Sequence, residues 1–440
     1  MLTACIQSVQ NQTYDNWELC LVDDCSTDAR VRETLRQFEG VERIKIKYRS
    51  ENGHISRTTN DGIAMAEGEF VALLDCDDLY AENALYEIAK KLNEDHTLDF
   101  IYSDEDKLSE DGTKRRNPFF KPDWSPDTFM SLMYTCHLAV YRKSLLDEMG
   151  GLRVGLEGSQ DYDLVLRVME KTNRIGHVPK ILYHWREREE STANDISAKP
   201  YIIETTKKAK LEALERRGVK GHLEYIKDIV MFRVVYEVVG NPRVSIIIPS
   251  KDNYDILKQC LTSIRKETKY QNYEIIVVDN GSAEETHAKY TQMCKELECK
   301  YHYAPMEFNF SKMCNIGAHL ADGQFLLFLN DDIRVEGAEW LERMLGHAQQ
   351  PHTGAVGCKL ITQYDLIQHV GVVSFMVGPG HAFQRINDDL NCYWGRNKLE
   401  YNYSAVTGAC LMIDRNKYDQ VGGFRNSYQW HITILTYVLI

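Results

Sequence analysis

The 440-residue sequence has no CxxC pair among its twelve cysteines, no long apolar run and no surplus of positive charge. Without such pairs we expect no structural zinc, and cysteines scattered through apolar segments suit a reducing cytoplasm. No apolar run approaches the roughly 20 residues that span a bilayer, and the first residues do not read as a signal peptide. The formal net charge of −13 argues against a nucleic-acid partner, which favours clustered Lys and Arg.

What the sequence does contain is a long internal repeat. The segment LVDDCS at 21–26 recurs as VVDNGS, an offset of 279 − 23 = 256 between the two aspartates. The segment LDCD at 74–77 recurs as LNDD, an offset of 332 − 77 = 255. The segment DEMGGL at 147–152 recurs as DQVGGF, an offset of 419 − 147 = 272. Solenoid repeats are ~20–50 residues long, so this period indicates two whole domains.

Within each copy, short apolar strands alternate with amphipathic helices. Residues 17–22 and 70–74 of the first copy, and 273–278 and 325–329 of the second, are apolar up to an acidic end. This order predicts an α/β fold with a mostly parallel, Rossmann-like sheet. Ligands in such sheets gather at the carboxyl ends of the strands, where these acidic residues lie.

The repeat also suggests domain boundaries. We predict a first domain over 1–190, a linker with a helix and an extended segment over 191–241, and a second domain over 242–440. The apolar strand at 244–249 has no counterpart in the first copy, since Leu2 already corresponds to Leu257. We therefore expect the first domain to lack its first strand.

The second copy departs from the repeat at its other end. Where an acidic motif like that at 160–163 is expected, residues 432–440 are apolar. We therefore expect the second domain to lack its C-terminal part, and activity to be impaired.

The strongest candidate site is the acidic run that follows the strand at 70–74. Asp75 and Asp77 are two residues apart, so on an extended segment their side chains point the same way, and oxygen ligands suit a hard divalent cation. A solvated turn or a helix cap would give the same pattern. The second copy, however, places Asp332 at the position of Asp77.

Two further pairs of matched residues are candidate ligand contacts. Asp23 and Asp279 follow equivalent strands, where they would either accept from a nucleoside or cap a helix. Arg57 and Lys312 are matched cations that would either face a diphosphate or lie in solvent.

Taken in order, the motifs resemble those of inverting family 2 glycosyltransferases with the GT-A fold. The first copy contributes Asp23 and Asp24, LDCDD at 74–78, QDYDLVLR at 160–167 and LYHWR at 182–186; the second contributes IPSKD at 248–252, VDN at 278–280 and VTGAC at 406–410. The tandem arrangement resembles bacterial enzymes that build O-antigen or rhamnose-rich polysaccharides.

The resemblance implies a role for each matched position. Asp161 would be the general base. The metal ligands for Mg²⁺ or Mn²⁺ would be Asp75, Asp77, Asp332 and His184. The nucleotide sugar would be bound by Asp23, Asp24, Arg57, Pro249, Asp252, Asp279 and Lys312. The expected donor is UDP- or dTDP-linked, and its sugar is of the hexosyl or rhamnosyl class. The expected acceptor is a lipid-linked glycan. The enzyme would then lie in the cytoplasm, in peripheral contact with the inner face of the plasma membrane.

The chemistry of inverting transfer agrees with this set of residues. The acceptor hydroxyl must lose a proton, and the leaving diphosphate gains charge that a cation neutralises. Two other interpretations stay open. A sugar-phosphate nucleotidyltransferase also uses carboxylates at strand ends and Mg²⁺, although it needs a Gly-rich basic loop that this sequence lacks. A non-catalytic remnant would bind the donor without transferring the sugar.

Overall fold

The computed structural model describes residues 1–187, 200–376 and 378–427. Contacts divide the chain into two compact units, Met1–Val234 and Val235–Ile440. Both units alternate helices with strands, which confirms the predicted α/β class. The predicted departure at 432–440 lies outside the described residues, and within them no helix is long and apolar enough to cross a membrane.

The first unit contains three sets of strands that do not pair with one another. Its strands are β1 Leu19–Asp23, β2 Ile44–Tyr48, β3 Phe70–Ala72, β4 Leu79–Tyr80, β5 Phe100–Leu108, β6 Arg115–Phe119, β7 Ala139–Arg142, β8 Ile175–Arg186, β9 Gly221–Ile226 and β10 Met231–Tyr236, which extends just past the unit. The mixed sheet runs β3-β7-β5-β8-β4, with β6 on β5. Strands β1 and β2 form a separate parallel pair, and β9 and β10 form a third set.

Helices cover these strands. They are α1 Leu2–Gln10, α2 Ala29–Arg36, α3 His54–Met65, α4 Ala84–Glu94, α5 Pro126–Ser131, α6 Lys143–Met149, α7 Gln160–Lys171 and α8 Pro200–Arg216. A 3₁₀ turn, Lys227–Ile229, lies between β9 and β10. Gly150 ends α6 in the left-handed conformation that glycine tolerates best (φ 72°).

The second unit has one continuous six-stranded sheet in the order β13-β12-β11-β14-β20-β15. Its strands are β11 Val244–Ser250, β12 Tyr273–Asp279, β13 Lys300–Tyr303, β14 Phe325–Leu329, β15 Val356–Gly357, β16 Leu360–Ile361, β17 Ile367–His369, β18 Val372–Phe375, β19 Gly378–His381 and β20 Cys410–Asp414. Its helices are α9 Tyr254–Glu267, α10 Glu284–Glu296, α11 Phe310–Leu320, α12 Trp340–Ala348 and α13 Arg415–Gln420, with a 3₁₀ turn at Tyr393–Gly395.

The central strand of the second unit organises its core. Val244 lies opposite Tyr273 of β12 and Phe325 of β14, both in parallel register. Ile246 packs with α9, α10 and α12 on one face, and Ile247 packs with α11 and α13 on the other. A strand buried on both faces is apolar nearly throughout, which is why the sequence of β11 shows no polar alternation.

The helix α8 packs against the first unit, in a region where the sequence predicted a linker. Lys210 is buried, and its ammonium donates to the carbonyl oxygens of Ser131 at 3.1 Å and Phe232 at 2.7 Å. Its Nζ also lies 5.4 Å from the ring centroid of Tyr162. One charged side chain therefore joins α8 to the end of α5, to β10 and to α7.

We expect Lys210→Ala to lower the free energy of unfolding of the first unit by about 1–3 kcal/mol, because two buried carbonyls lose their donor. Urea denaturation of the full chain measures this. Lys208→Ala is the matched control, since its side chain on the same helix is 57% exposed, and we expect a change within about 0.5 kcal/mol. Equal effects of the two substitutions would show that α8 is an independent linker.

Candidate functional site

The loop after β3 carries the acidic run of the first unit. Asp78 is buried, and its carboxylate accepts from the Tyr183 hydroxyl at 2.7 Å and from the Arg186 backbone N–H at 2.7 Å. Both donors belong to β8, which pairs with β4 directly after the loop. The strand pairing therefore fixes where Asp78 lies.

A group of three side chains at this loop could hold a metal ion. Candidate ligand atoms of Asp75, Asp78 and His137 lie within 4.8 Å of one another. His137 lies two residues before β7, which pairs with β3, and its ring stacks on Tyr183 with centroids 4.5 Å apart. Two carboxylates and an imidazole form a donor set that fits Mn²⁺, and the carboxylates alone suit Mg²⁺.

The electrostatics of the loop favour a bound cation. Burial raises the pKa of Asp78 to about 7, against the lowering effect of the hydrogen bonds from Tyr183 and Arg186, and the Asp75 carboxylate raises it further. A carboxyl in this state has negative charge that the protein compensates only in part. A cation within reach would complete that compensation.

Asp161 lies near this group of three, because the charges of Asp75 and His137 both act on it. It is the second residue of α7, and burial raises its pKa, with a further contribution from Asp75 and an opposing one from His137. Its neighbour in the motif behaves differently: the buried Asp163 accepts from Arg153 Nε and Arg167 Nε, each at 2.9 Å. The two carboxylates of the motif thus have different surroundings: Asp161 lies near the group of three, and Asp163 belongs to an internal ion pair.

The other predicted metal ligands have different surroundings. His184 Nδ1 lies 2.7 Å from Asp106 Oδ1, and Asp106 in turn accepts from Arg115 Nε at 2.6 Å. His184 is therefore outside the group of three, although it lies opposite Leu79 in the strand pair that follows Asp78. Asp77 is half-buried, and its backbone carbonyl accepts from Arg186.

The predicted donor-binding residues of the first unit lie at the end of β1 and on α3. Asp23 is buried and accepts from the Ser26 N–H at 3.1 Å and from Arg32 Nε at 3.3 Å. Asp24 accepts from the Gly53 N–H at 2.7 Å. Arg57 is exposed on α3.

In the second unit two of the predicted donor-binding residues meet at the ends of β11 and β12. Asp279 is buried and accepts from the Ser282 hydroxyl at 2.7 Å and the Tyr301 hydroxyl at 2.6 Å. That serine oxygen also accepts from the Asp252 N–H at 2.9 Å. Pro249 is buried within β11, while Lys312 is exposed on α11.

The second unit does not repeat the group of three. Asn330 and Ile333 stand at the positions of Asp75 and Asp78, at the offset of 332 − 77 = 255. The partner strands give the counterpart of His137. Ala72 pairs with Val140 in the first unit, and the equivalent Leu327 pairs with Met412 in the second, an offset of 412 − 140 = 272. At that offset Ala409 corresponds to His137.

Two aspartates remain in this loop of the second unit. Asp331 accepts from Ser250 Oγ at 2.6 Å and from Asn253 Nδ2 at 3.1 Å, and burial raises its pKa. Asp332 is exposed. In the described parts of the chain, the group at Asp75 is the one metal-type cluster.

The sequence pattern described as Glycosyl transferase family 2 matches residues 1–150 and 245–422. The chain belongs to glycosyl transferase family 2. The predicted family is thereby confirmed, and matches in both halves agree with two tandem α/β domains of the GT-A type.

Several relatives share most of this chain. It is 39% identical over 434 residues to the uncharacterized protein y4gI of Sinorhizobium fredii. That alignment covers 97% of this chain and 48% of the relative. It is 37% identical over 432 residues to the O-antigen biosynthesis protein RfbC of Myxococcus xanthus. That alignment covers 97% of this chain and 34% of the relative. The chain thus spans half or less of the length of these relatives.

Among solved structures, S. aureus TarS 1-349 in complex with UDP-GlcNAc is 23% identical, with a TM-score of 0.40 over 48% of this chain and 62% of that chain.

We expect Mn²⁺ to bind the first unit more tightly at about pH 8 than at about pH 6. The reason is that the pKa of Asp78 is raised to about 7, so a proton competes with the cation below that pH. Asp78→Asn and His137→Ala should each weaken binding at least about tenfold, or about 1.4 kcal/mol. Electron paramagnetic resonance of free Mn²⁺ measures this.

The control for this titration is Asp332→Asn, which changes an exposed carboxylate of the second unit. It should leave Mn²⁺ affinity unchanged. Equal weakening by Asp332→Asn and Asp78→Asn would contradict the assignment.

Proposed function

We propose that the chain is a metal-dependent inverting glycosyltransferase that moves a sugar from a UDP- or dTDP-linked donor to a glycan acceptor, and that the first unit carries the chemistry. The observation that supports this most is that the charges of Asp75 and His137, two members of the group of three, act on Asp161. A candidate cation site therefore lies near a carboxyl of raised pKa. Inverting transfer needs these two elements.

Asp161 is the proposed general base. As the acceptor oxygen attacks the anomeric carbon, its proton passes to the Asp161 carboxylate. The new carbon–oxygen bond forms while the bond to the diphosphate oxygen breaks, and that electron pair leaves with the nucleoside diphosphate. A raised pKa makes Asp161 a stronger base than an ordinary aspartate. A Mg²⁺ or Mn²⁺ ion held by Asp75, Asp78 and His137 would neutralise charge on the leaving group.

The remaining predicted residues have supporting roles in this proposal. Asp77 shapes the loop, and His184 supports it through the strand pair beside Asp78. Asp23 and Asp24 in the first unit contact the nucleoside from the end of β1, and Arg57 faces the diphosphate.

We propose that the second unit binds a nucleotide sugar without transferring the sugar. Asp252 and Asp279 lie together at the strand ends and share a partner in Ser282. Pro249 shapes that loop, Lys312 faces the diphosphate and Asp332 contributes a carboxylate to it. The positions of Asp75, Asp78 and His137 are taken by Asn330, Ile333 and Ala409, which leave few charged groups for a cation.

We propose bacterial surface polysaccharide synthesis as the setting. The support is the alignment of 97% of this chain with a relative named for O-antigen biosynthesis. A lipid-linked acceptor would place the enzyme at the inner face of the plasma membrane, in peripheral contact. The match to a glycosyltransferase family in both halves favours this function over nucleotidyl transfer.

A second candidate function is that of a remnant which binds the nucleotide-sugar donor without transferring its sugar. The residues Asn330, Ile333 and Ala409 at the positions of Asp75, Asp78 and His137 favour it for the second unit. The two candidates differ in one measurement, which is release of nucleoside diphosphate in the presence of Mn²⁺ and acceptor.

We expect Asp161→Asn to lower turnover by ~10²–10⁴ while donor binding is retained, which is the usual contribution of a general base. Nucleoside diphosphate release measures turnover, and calorimetry measures binding. Asp332→Ala is the control in the second unit and should leave turnover unchanged. Transfer that survives Asp161→Asn and is lost in Asp332→Ala would place the chemistry in the second unit instead.

A further inference from the structure

A buried ion pair in the first unit contacts the segment that carries His137. The side chains of Lys121 and Glu105 are 0% and 3% exposed, and Lys121 Nζ lies 2.9 Å from Glu105 Oε2. Taking two charges out of water has a cost that their attraction offsets only with further hydrogen bonds, and apolar residues of similar size are often as stable. Stability alone therefore does not explain the pair, and its other contacts show what it holds.

The ion pair holds the backbone of His137 at both of its polar groups. Glu105 Oε2 accepts from the His137 N–H at 3.1 Å, and Lys121 Nζ donates to the His137 carbonyl oxygen. The same ammonium donates to the Thr135 carbonyl oxygen at 2.8 Å. Because a buried backbone group needs a partner, these bonds fix the chain on either side of the histidine Cα.

Neighbouring strands fix the ion pair in turn. Glu105 belongs to β5 and lies opposite Phe119 of β6. Lys121 follows that position by two residues, and its backbone N–H donates to Asp104 Oδ1 at 2.9 Å. Asp104 is itself buried within β5. The register between β5 and β6 thus determines where the ion pair lies, and the ion pair determines where the backbone of His137 lies.

The imidazole has little freedom once its backbone is fixed. The ring of His137 stacks on Tyr183 with centroids 4.5 Å apart, and it meets Trp185 edge-on at 5.4 Å. The Tyr183 hydroxyl in turn donates to Asp78 at 2.7 Å. Distances between a metal and its ligands tolerate deviations of only about 0.2 Å. A small displacement of the backbone would therefore take the imidazole out of reach of a cation held by Asp75 and Asp78.

The second unit lacks both the imidazole and the carboxylate of the ion pair. Ile101 of β5 pairs with β7 at the place where Val356 of β15 pairs with β20, an offset of 356 − 101 = 255. At that offset Leu360, which is also buried, stands at the position of Glu105. The counterpart of the histidine is Ala409. The carboxylate is thus present in the unit that has a histidine to hold and absent from the unit that has none.

We infer that Lys121 and Glu105 are positioning residues, which set the place of the His137 imidazole beside Asp75 and Asp78. Neither side chain belongs to the group of three, and both act through the backbone of His137. The inference rests on the proposed function, because the cation site is part of that function. The two charges then determine where the imidazole lies, and not only how stable the fold is.

Two variants of the full chain separate position from stability. Lys121→Met leaves the Glu105 carboxylate buried without its partner, so the thermal transition temperature should fall. Lys121→Met combined with Glu105→Leu removes both charges and should recover most of that loss. In both variants the backbone of His137 loses the ammonium. Lys171→Met is the matched control, because it removes an ion pair with Glu148 whose two side chains are 52% and 61% exposed.

The first readout is the imidazole signal of His137 in ¹H–¹³C spectra of the histidine-labelled chain, assigned with His137→Gln. We expect the ring-current shift from Tyr183 to be lost in both Lys121 variants and kept in Lys171→Met. Amide hydrogen exchange over 136–138 should be at least about tenfold faster in both Lys121 variants. A folded double variant with an unchanged His137 signal would overturn the inference, because the ion pair would then serve stability alone.

The second readout is Mn²⁺ affinity, measured by electron paramagnetic resonance of free Mn²⁺. Both Lys121 variants should bind Mn²⁺ at least about tenfold more weakly than the unchanged chain, and Lys171→Met should bind it equally well. A displaced imidazole with unchanged Mn²⁺ affinity would also overturn the inference. Absence of Mn²⁺ binding by the unchanged chain would instead contradict the proposed function, and the His137 signal would still decide whether the ion pair positions the imidazole.

Discussion

Backbone pairing between neighbouring strands determines where the functional side chains of both units lie. In the second unit, β11 holds β12 and β14 in parallel register, so Asp252, Asp279 and Asp331 meet at one edge of the sheet. In the first unit, β7 and β8 bring His137 and Tyr183 to the loop that follows β3. Each strand must satisfy its N–H and C=O groups, and the side chains at its end are placed as a consequence.

The carboxylates of the first unit fall into two classes with different consequences. Asp163 is buried between Arg153 and Arg167, and its charge is balanced within the protein. Asp78 is buried and Asp161 is half-buried, and in the described parts of the chain neither carboxylate pairs with a guanidinium. Desolvation raises the pKa of each. A balanced carboxylate stabilises the fold, whereas an unbalanced one can bind a cation or accept a proton. The second unit has matching strands and one carboxylate of raised pKa, Asp331, but it has Asn330, Ile333 and Ala409 in place of Asp75, Asp78 and His137, and this difference separates the two proposed roles.

The sequence was informative where a pattern is local or repeated. The apolar strands, the α7 motif and the acidic loop were all predicted, because each is a short segment with its own periodicity or charge. His137 was missed because the repeat favours residues that are present in both copies, and the second copy has Ala409 there. The contact of His184 with Asp106 was missed because it depends on pairing between β5 and β8, far apart in the chain. The local sequence does not determine the register between strands that are far apart in the chain.

In the proposed function a single unit of the chain carries both the cation site and the base. The most direct test is the number of Mn²⁺ ions bound per chain at saturation in the presence of UDP, measured on the full protein and on Asp75→Asn. We predict one Mn²⁺ per chain, lost in the variant, because the second unit has Asn330, Ile333 and Ala409 in place of the three ligands. Two ions per chain, with one retained in Asp75→Asn, would contradict the claim.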